Sequence, residues 1–137
     1  MHRRTFLISA AALTVTPALV HAASGTPYTP GLVDEKLAAG ETVLVDFYTR
    51  WCSTCAVQQR VISALKDENP AYNEAISFVS VDWDQHSQSK LANRLAIPRR
   101  STLVLLKGDE ELGRIVAGTR RGDIQALMDT ALEAATA

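Results

Sequence analysis

Cys52 and Cys55 are the only cysteines of the 137-residue chain, and only Ser53 and Thr54 separate them. Closing so small a loop removes little chain entropy, so a structural staple explains the pair poorly. Reversible thiol–disulfide exchange explains it better. A cysteine at the first turn of a helix has its thiolate favoured by free backbone N–H groups and by the helix dipole. A second cysteine one turn inward can attack a mixed disulfide formed at the first. Rival chemistries fare less well. Haem attachment needs histidine directly after the second cysteine, where Ala56 stands. A zinc site needs four ligands, and beyond residue 22 the chain adds only His86 and scattered acids. Cu(I) needs only two thiolates, so a copper-carrying module is the surviving alternative.

The surrounding pattern supplies the elements that must hold such a pair. Thr42–Thr49, rich in valine, leucine and aromatics, predicts a strand buried on both faces that ends just before Cys52. From Ser53 a helix is expected, with Val57, Val61, Ala64 and Leu65 on its apolar face and Asn69-Pro70 as its stop. A short helix around Leu32–Leu37 ends at Gly40, Ile76–Val81 reads as a second strand, and Ser87–Leu95 as a further helical stretch. Thr102–Leu106 and Leu112–Val116 flank Lys107-Gly108-Asp109-Glu110 as a hairpin. Ile124, Leu127, Met128, Ala131 and Leu132 make one stripe on a last helix. Strand, helix, strand, helix, hairpin and helix together predict an α/β domain with a central mixed sheet flanked by helices.

Ahead of this domain, the N-terminus reads as an address. Met1–Arg4 is basic, Phe6–Val20 is apolar and uncharged, and Val20-His21-Ala22 is a small-residue exit. The run is shorter than the roughly 20 residues of a spanning helix, so residues 1–22 read as a signal peptide. Arg3-Arg4 resembles a twin-arginine export signal. A periplasmic location is the expectation, with residues 23–30 as a leader and 31–137 as a single domain. Beyond residue 22 the chain carries 12 basic and 15 acidic side chains with no basic run, which offers nucleic acid no footprint. No cofactor or resident metal is read from the sequence.

The run Val43-Leu44-Val45-Asp46-Phe47-Tyr48-Thr49-Arg50-Trp51-Cys52-Ser53-Thr54-Cys55 resembles the active-site strand and turn of thioredoxins. It is also similar to the C-terminal thioredoxin-like domain of the membrane transporter that supplies electrons to the bacterial periplasm. The likeness extends through the strand ending Val81-Asp82-Trp83-Asp84, the hairpin, and Gly118 before the last helix. It implies a thioredoxin fold and a monomeric thiol–disulfide oxidoreductase. Its substrates would be protein or small-molecule disulfides, and its electrons would come from a membrane donor. Cys52 would be the attacking thiol and Cys55 the resolving one. Trp51 would shield the pair and help to dock substrate. Asp46 would be the buried acid that passes protons to Cys55, a role suited to a carboxyl that holds its proton in an apolar strand.

Two departures from that pattern stand out. Ser80 occupies the place of the family's buried lysine. Ser101 falls where the family has a cis-proline facing the cysteines, which makes Arg100 the residue expected to pair with substrate backbone; Pro98 lies three positions too early to fill it. A trans Arg100–Ser101 peptide is expected, since a non-proline cis bond costs about 2.5–4 kcal/mol. With it comes the expectation of a more open site, easier access for a thiophilic metal, and a gain of reductase activity on Ser101→Pro. His86 and the pairs Arg99-Arg100 and Arg120-Arg121 otherwise read as solvated surface.

Overall fold

The computed structural model describes residues 25–137, and the expected signal peptide, residues 1–22, lies outside the described residues. In chain order the elements are β1 (Thr26–Pro27), α1 (Leu32–Ala38), β2 (Thr42–Tyr48), α2 (Ser53–Glu68), α3 (Ala71–Ala75) and β3 (Ile76–Asp82). They continue with α4 (Trp83–His86), α5 (Lys90–Arg94), β4 (Thr102–Lys107), β5 (Glu110–Val116) and α6 (Arg121–Thr136). The strands form one mixed sheet in the order β1-β3-β2-β4-β5. β2 runs parallel to β3 and antiparallel to β4.

Alternation along β2 divides the core. Val43, Val45 and Phe47 join Val33 of α1 and Leu91 and Ala92 of α5 on one face. Leu44 joins Ile62 and Leu65 of α2, Tyr72 of α3, and Ile124, Leu127, Met128 and Ala131 of α6 on the other. Both faces are therefore covered, and β2 is a near-continuous apolar run because each side chain enters one core or the other. Asp46 shares the parity of Leu44, so it is carried on the face that α2 covers.

Several expected boundaries move. Residues read as a leader supply the edge strand β1, where Thr26 and Pro27 pair with Val79 and Ser80 of β3. Two residues show no alternation, and proline suits an edge, where its missing N–H leaves no bond unmade. A Cβ at Gly25 would lie 2.8 Å from the Phe78 carbonyl oxygen, so the chain can approach β3 there only as glycine. The stretch 83–95 holds two short helices. Asp82 caps α4 by accepting from the Asp84 N–H, and Ser89 caps α5 by accepting from the Ala92 N–H. The hairpin turn narrows to Gly108-Asp109, with Lys107 and Glu110 already paired and Gly108 at φ 57°.

The buried face of α2 also differs from the expected stripe. It runs through Cys55, Gln58, Ile62 and Leu65, while Val57 and Val61 are only half-buried. An apolar count steers past Gln58, yet that glutamine has no exposed surface: its Nε2 finds two carbonyl partners inside, while its Oε1 is buried without a partner among the described residues.

Candidate active site

β2 delivers the chain to the start of α2, and Cys52 is the N-cap residue there. Its Sγ accepts the Cys55 backbone N–H at 3.2 Å, one of the donors that a helix start leaves without an intrahelical partner. The same contact that caps the helix therefore favours negative charge on this sulfur. Cys52 and Cys55 are joined in a disulfide with their Cα atoms 5.3 Å apart. Cys52 retains 6% of its surface and Cys55 only 1%.

Ser101, at the entrance to β4, lies across the pair. Its Oγ is 3.1 Å from Cys52 Sγ and 2.9 Å from Cys55 Sγ. The residue is fully buried, so its hydroxyl covers the sulfurs and the expectation of a more open site fails. No peptide among the described residues is cis; Ser101 instead has φ 62°, in the left-handed region. Two backbone bonds and one side chain hold that conformation in place. The Ser101 N–H donates to the Phe47 carbonyl at 2.7 Å, and its own carbonyl accepts from the Ala117 N–H at 2.8 Å. Gln58 Nε2 donates to the same Ser101 carbonyl at 3.0 Å and to the Gly118 carbonyl at 2.9 Å. Ala117 is itself at φ 59°, so two left-handed residues meet under one glutamine. Gln58 was missed in the sequence; its signal is a polar residue three positions after Cys55 on a core-facing helix.

Asp46 sits behind the pair. Gln59, one helical turn beyond Cys55, donates from Nε2 to Asp46 Oδ2 at 3.4 Å. Residues i and i+4 share a helix face, so the carboxyl lies beneath the face that carries Cys55. Ser80 is its cross-strand neighbour on β3. Asp46 Oδ1 and Ser80 Oγ are buried with no hydrogen-bond partner among the described residues. Burial pushes the Asp46 carboxyl up to about 7, against a smaller downward pull from the Gln59 bond. A lysine is thus absent from the position across from Asp46, and no cation there draws the carboxyl back down.

Outside the sulfurs, Trp51 keeps 63% of its surface exposed. Its indole Nε1 donates to Asp84 Oδ2 at 2.9 Å, and the Arg100 guanidinium carbon lies 4.2 Å from the ring centroid. Arg100 and Trp51 therefore form one stacked pair beside the disulfide, worth about 0.5–1 kcal/mol where such pairs are solvent-exposed. The α4 acid Asp84, unforeseen in the sequence, orients the indole. His86 stays apart, stacked edge-on with Tyr28. Arg121 is paired with Glu68.

The family model described as Thioredoxin matches residues 28–130. The chain is 34% identical over 94 residues to the chloroplastic F-type thioredoxin of Pisum sativum, covering 68% of this chain and 48% of that protein. It is 29% identical over 86 residues to mitochondrial thioredoxin-2 of Schizosaccharomyces pombe, covering 63% of this chain and 60% of that one. The matches thus span about half to three-fifths of those relatives' lengths. Among solved structures, Trxlp from Edwardsiella tarda EIB202 superposes with a TM-score of 0.63 at 29% identity, covering 77% of this chain and 96% of that one. The chain belongs to the thioredoxin family, and Cys52 and Cys55 form the Cys-x-x-Cys thiol–disulfide pair of its fold.

Proposed function

We propose that this protein is a periplasmic thiol–disulfide oxidoreductase that reduces protein or small-molecule disulfides. The observation that carries the reading is the Cys52–Cys55 disulfide at the start of α2, capped by a backbone N–H and backed by a proton-holding carboxyl. In the reduced state, the Cys52 thiolate attacks a substrate disulfide, forms a mixed disulfide and expels one substrate thiolate. Cys55 then gives its proton to the Asp46 carboxylate and attacks Cys52 Sγ. The second substrate thiolate leaves, and two electrons have passed from the dithiol to the substrate. With the Asp46 carboxyl near 7, acceptor and donor forms are both populated at neutral pH, which suits a group that takes and returns a proton. Trp51 and Arg100 flank the sulfurs as the docking surface.

Residues 1–22 support export, and a membrane electron donor would restore the dithiol of a monomeric protein. The test is mixed-disulfide capture with Cys55→Ala in the native compartment, alongside insulin reduction by the intact protein. Expected are protein adducts on Cys52 that dithiothreitol releases, and a mature chain beginning at Ala23. Capture of one Cu(I) per reduced chain with no turnover and no adducts would instead support the metal carrier. Adducts found only on cytoplasmic proteins would refute the location.

A further inference from the structure

We propose that Ser101 is a catalytic residue whose hydroxyl serves both sulfurs, donating its proton to whichever of Cys52 and Cys55 carries the thiolate. The inference deepens the oxidoreductase reading and rests on it. The hydroxyl is 3.1 Å from one sulfur and 2.9 Å from the other, and no other side-chain oxygen bonds to either among the described residues. A hydroxyl has one proton to give and two lone pairs to receive. In the reduced pair it donates to the Cys52 thiolate and accepts the Cys55 S–H. When a donor thiolate attacks Cys52, the S–S bond breaks and its electron pair passes to Cys55 Sγ. The same O–H then turns to that sulfur, which is buried and otherwise depends on Asp46 for charge relief.

The backbone around Ser101 is what makes the hydroxyl available. Its left-handed φ of 62° is retained by a bond to the Phe47 carbonyl and bonds from Ala117 and Gln58 rather than by a ring, so side chain and backbone are set independently. A hydroxyl held in a buried site by its backbone needs little reorganisation when charge appears on sulfur, and hydrogen bonds to charged acceptors are the strong ones. Gln58 is the positioning residue, acting on the sulfurs only through Ser101.

The experiment compares Ser101→Ala and Ser101→Gly with the parent protein. Alanine keeps the strained backbone and removes the hydroxyl, whereas glycine removes the hydroxyl and relaxes the backbone. The charged neighbours Asp46, Arg50, Asp84 and Arg100 are unchanged in both. The readouts are the pH midpoint of iodoacetamide alkylation of the reduced protein and the equilibrium with glutathione. Both variants should move the midpoint up by about one pH unit, and shift the equilibrium about tenfold towards the disulfide, or ~30 mV. Midpoints within about 0.3 pH units of the parent's in both variants, about a twofold change in the thiolate-to-thiol ratio, would overturn the proposal. So would a shift in alanine alone, since that would trace to the backbone. If glycine alone folds, its midpoint decides. Insulin reduction is measured in parallel: an inactive parent with a shifted midpoint in the variants refutes the reductase reading and leaves the hydroxyl's role standing.

Discussion

Replacing Asp46 with asparagine removes a titration without changing side-chain size, and its effect on stability has a sign that the structure dictates. Burial raises the folded-state carboxyl from 3.8 to about 7. Below about pH 4, folded and unfolded chains both hold the proton, and the group is silent. As pH rises towards 7, the unfolded chain releases the proton while the folded chain keeps it, so stability falls with pH. Above about 7 the cost levels off, with the carboxylate buried beneath α2 and only Gln59 to receive it. A displacement of about three units at ~1.36 kcal/mol each amounts to about 4 kcal/mol. Urea denaturation of the oxidised proteins from about pH 4 to about pH 8 measures it, as the stability of Asp46→Asn minus that of the parent. Any fixed cost of burying the asparagine amide cancels between pH values. The difference should grow by about 4 kcal/mol in favour of the variant and then plateau. A flat difference would refute the reasoning, and one that grows towards acid pH would show that Asp46 is held ionised. In mixed-disulfide kinetics the same variant should slow closure by Cys55 and leave the first attack by Cys52 nearly unchanged.

Ser101→Pro should not restore the family's activity, contrary to what the resemblance alone suggests. A proline ring holds φ near −65° and lacks the N–H that bonds Phe47, so the variant should lose ~3 kcal/mol in urea denaturation and reduce insulin more slowly. Unchanged stability with faster turnover would show that the loop reorganises around proline. Gln58→Leu removes the donor to the Ser101 and Gly118 carbonyls, and should cost about 1–2 kcal/mol with faster hydrogen exchange at the Ala117 amide. Equal or greater stability would mean that the buried amide is not what anchors the loop.

Much of this protein is legible one stretch at a time. The strand ending before Cys52, the helix opening at Ser53 with its stop at Asn69-Pro70, the hairpin at Gly108 and the stripe of α6 all follow from local periodicity and turn chemistry. So does the redox character of the pair, because two cysteines one helical turn apart after a buried strand need no distant partner to be read. The chemistry around the sulfurs is different in kind. The resemblance marks Ser101 as a departure, but its left-handed backbone and its contact with both sulfurs depend on hydrogen bonds with β2, α2 and the turn before α6. Gln58 and Gln59 look like surface residues until the sheet packs beneath α2 and leaves two carbonyls and a carboxyl in need of donors. The two-residue edge strand beside β3 is likewise too short to show a period. Pattern reports which face of an element is apolar; which buried polar atoms must find one another is decided only when separate elements meet, since a hydrogen bond is satisfied by position in space and not by distance along the chain.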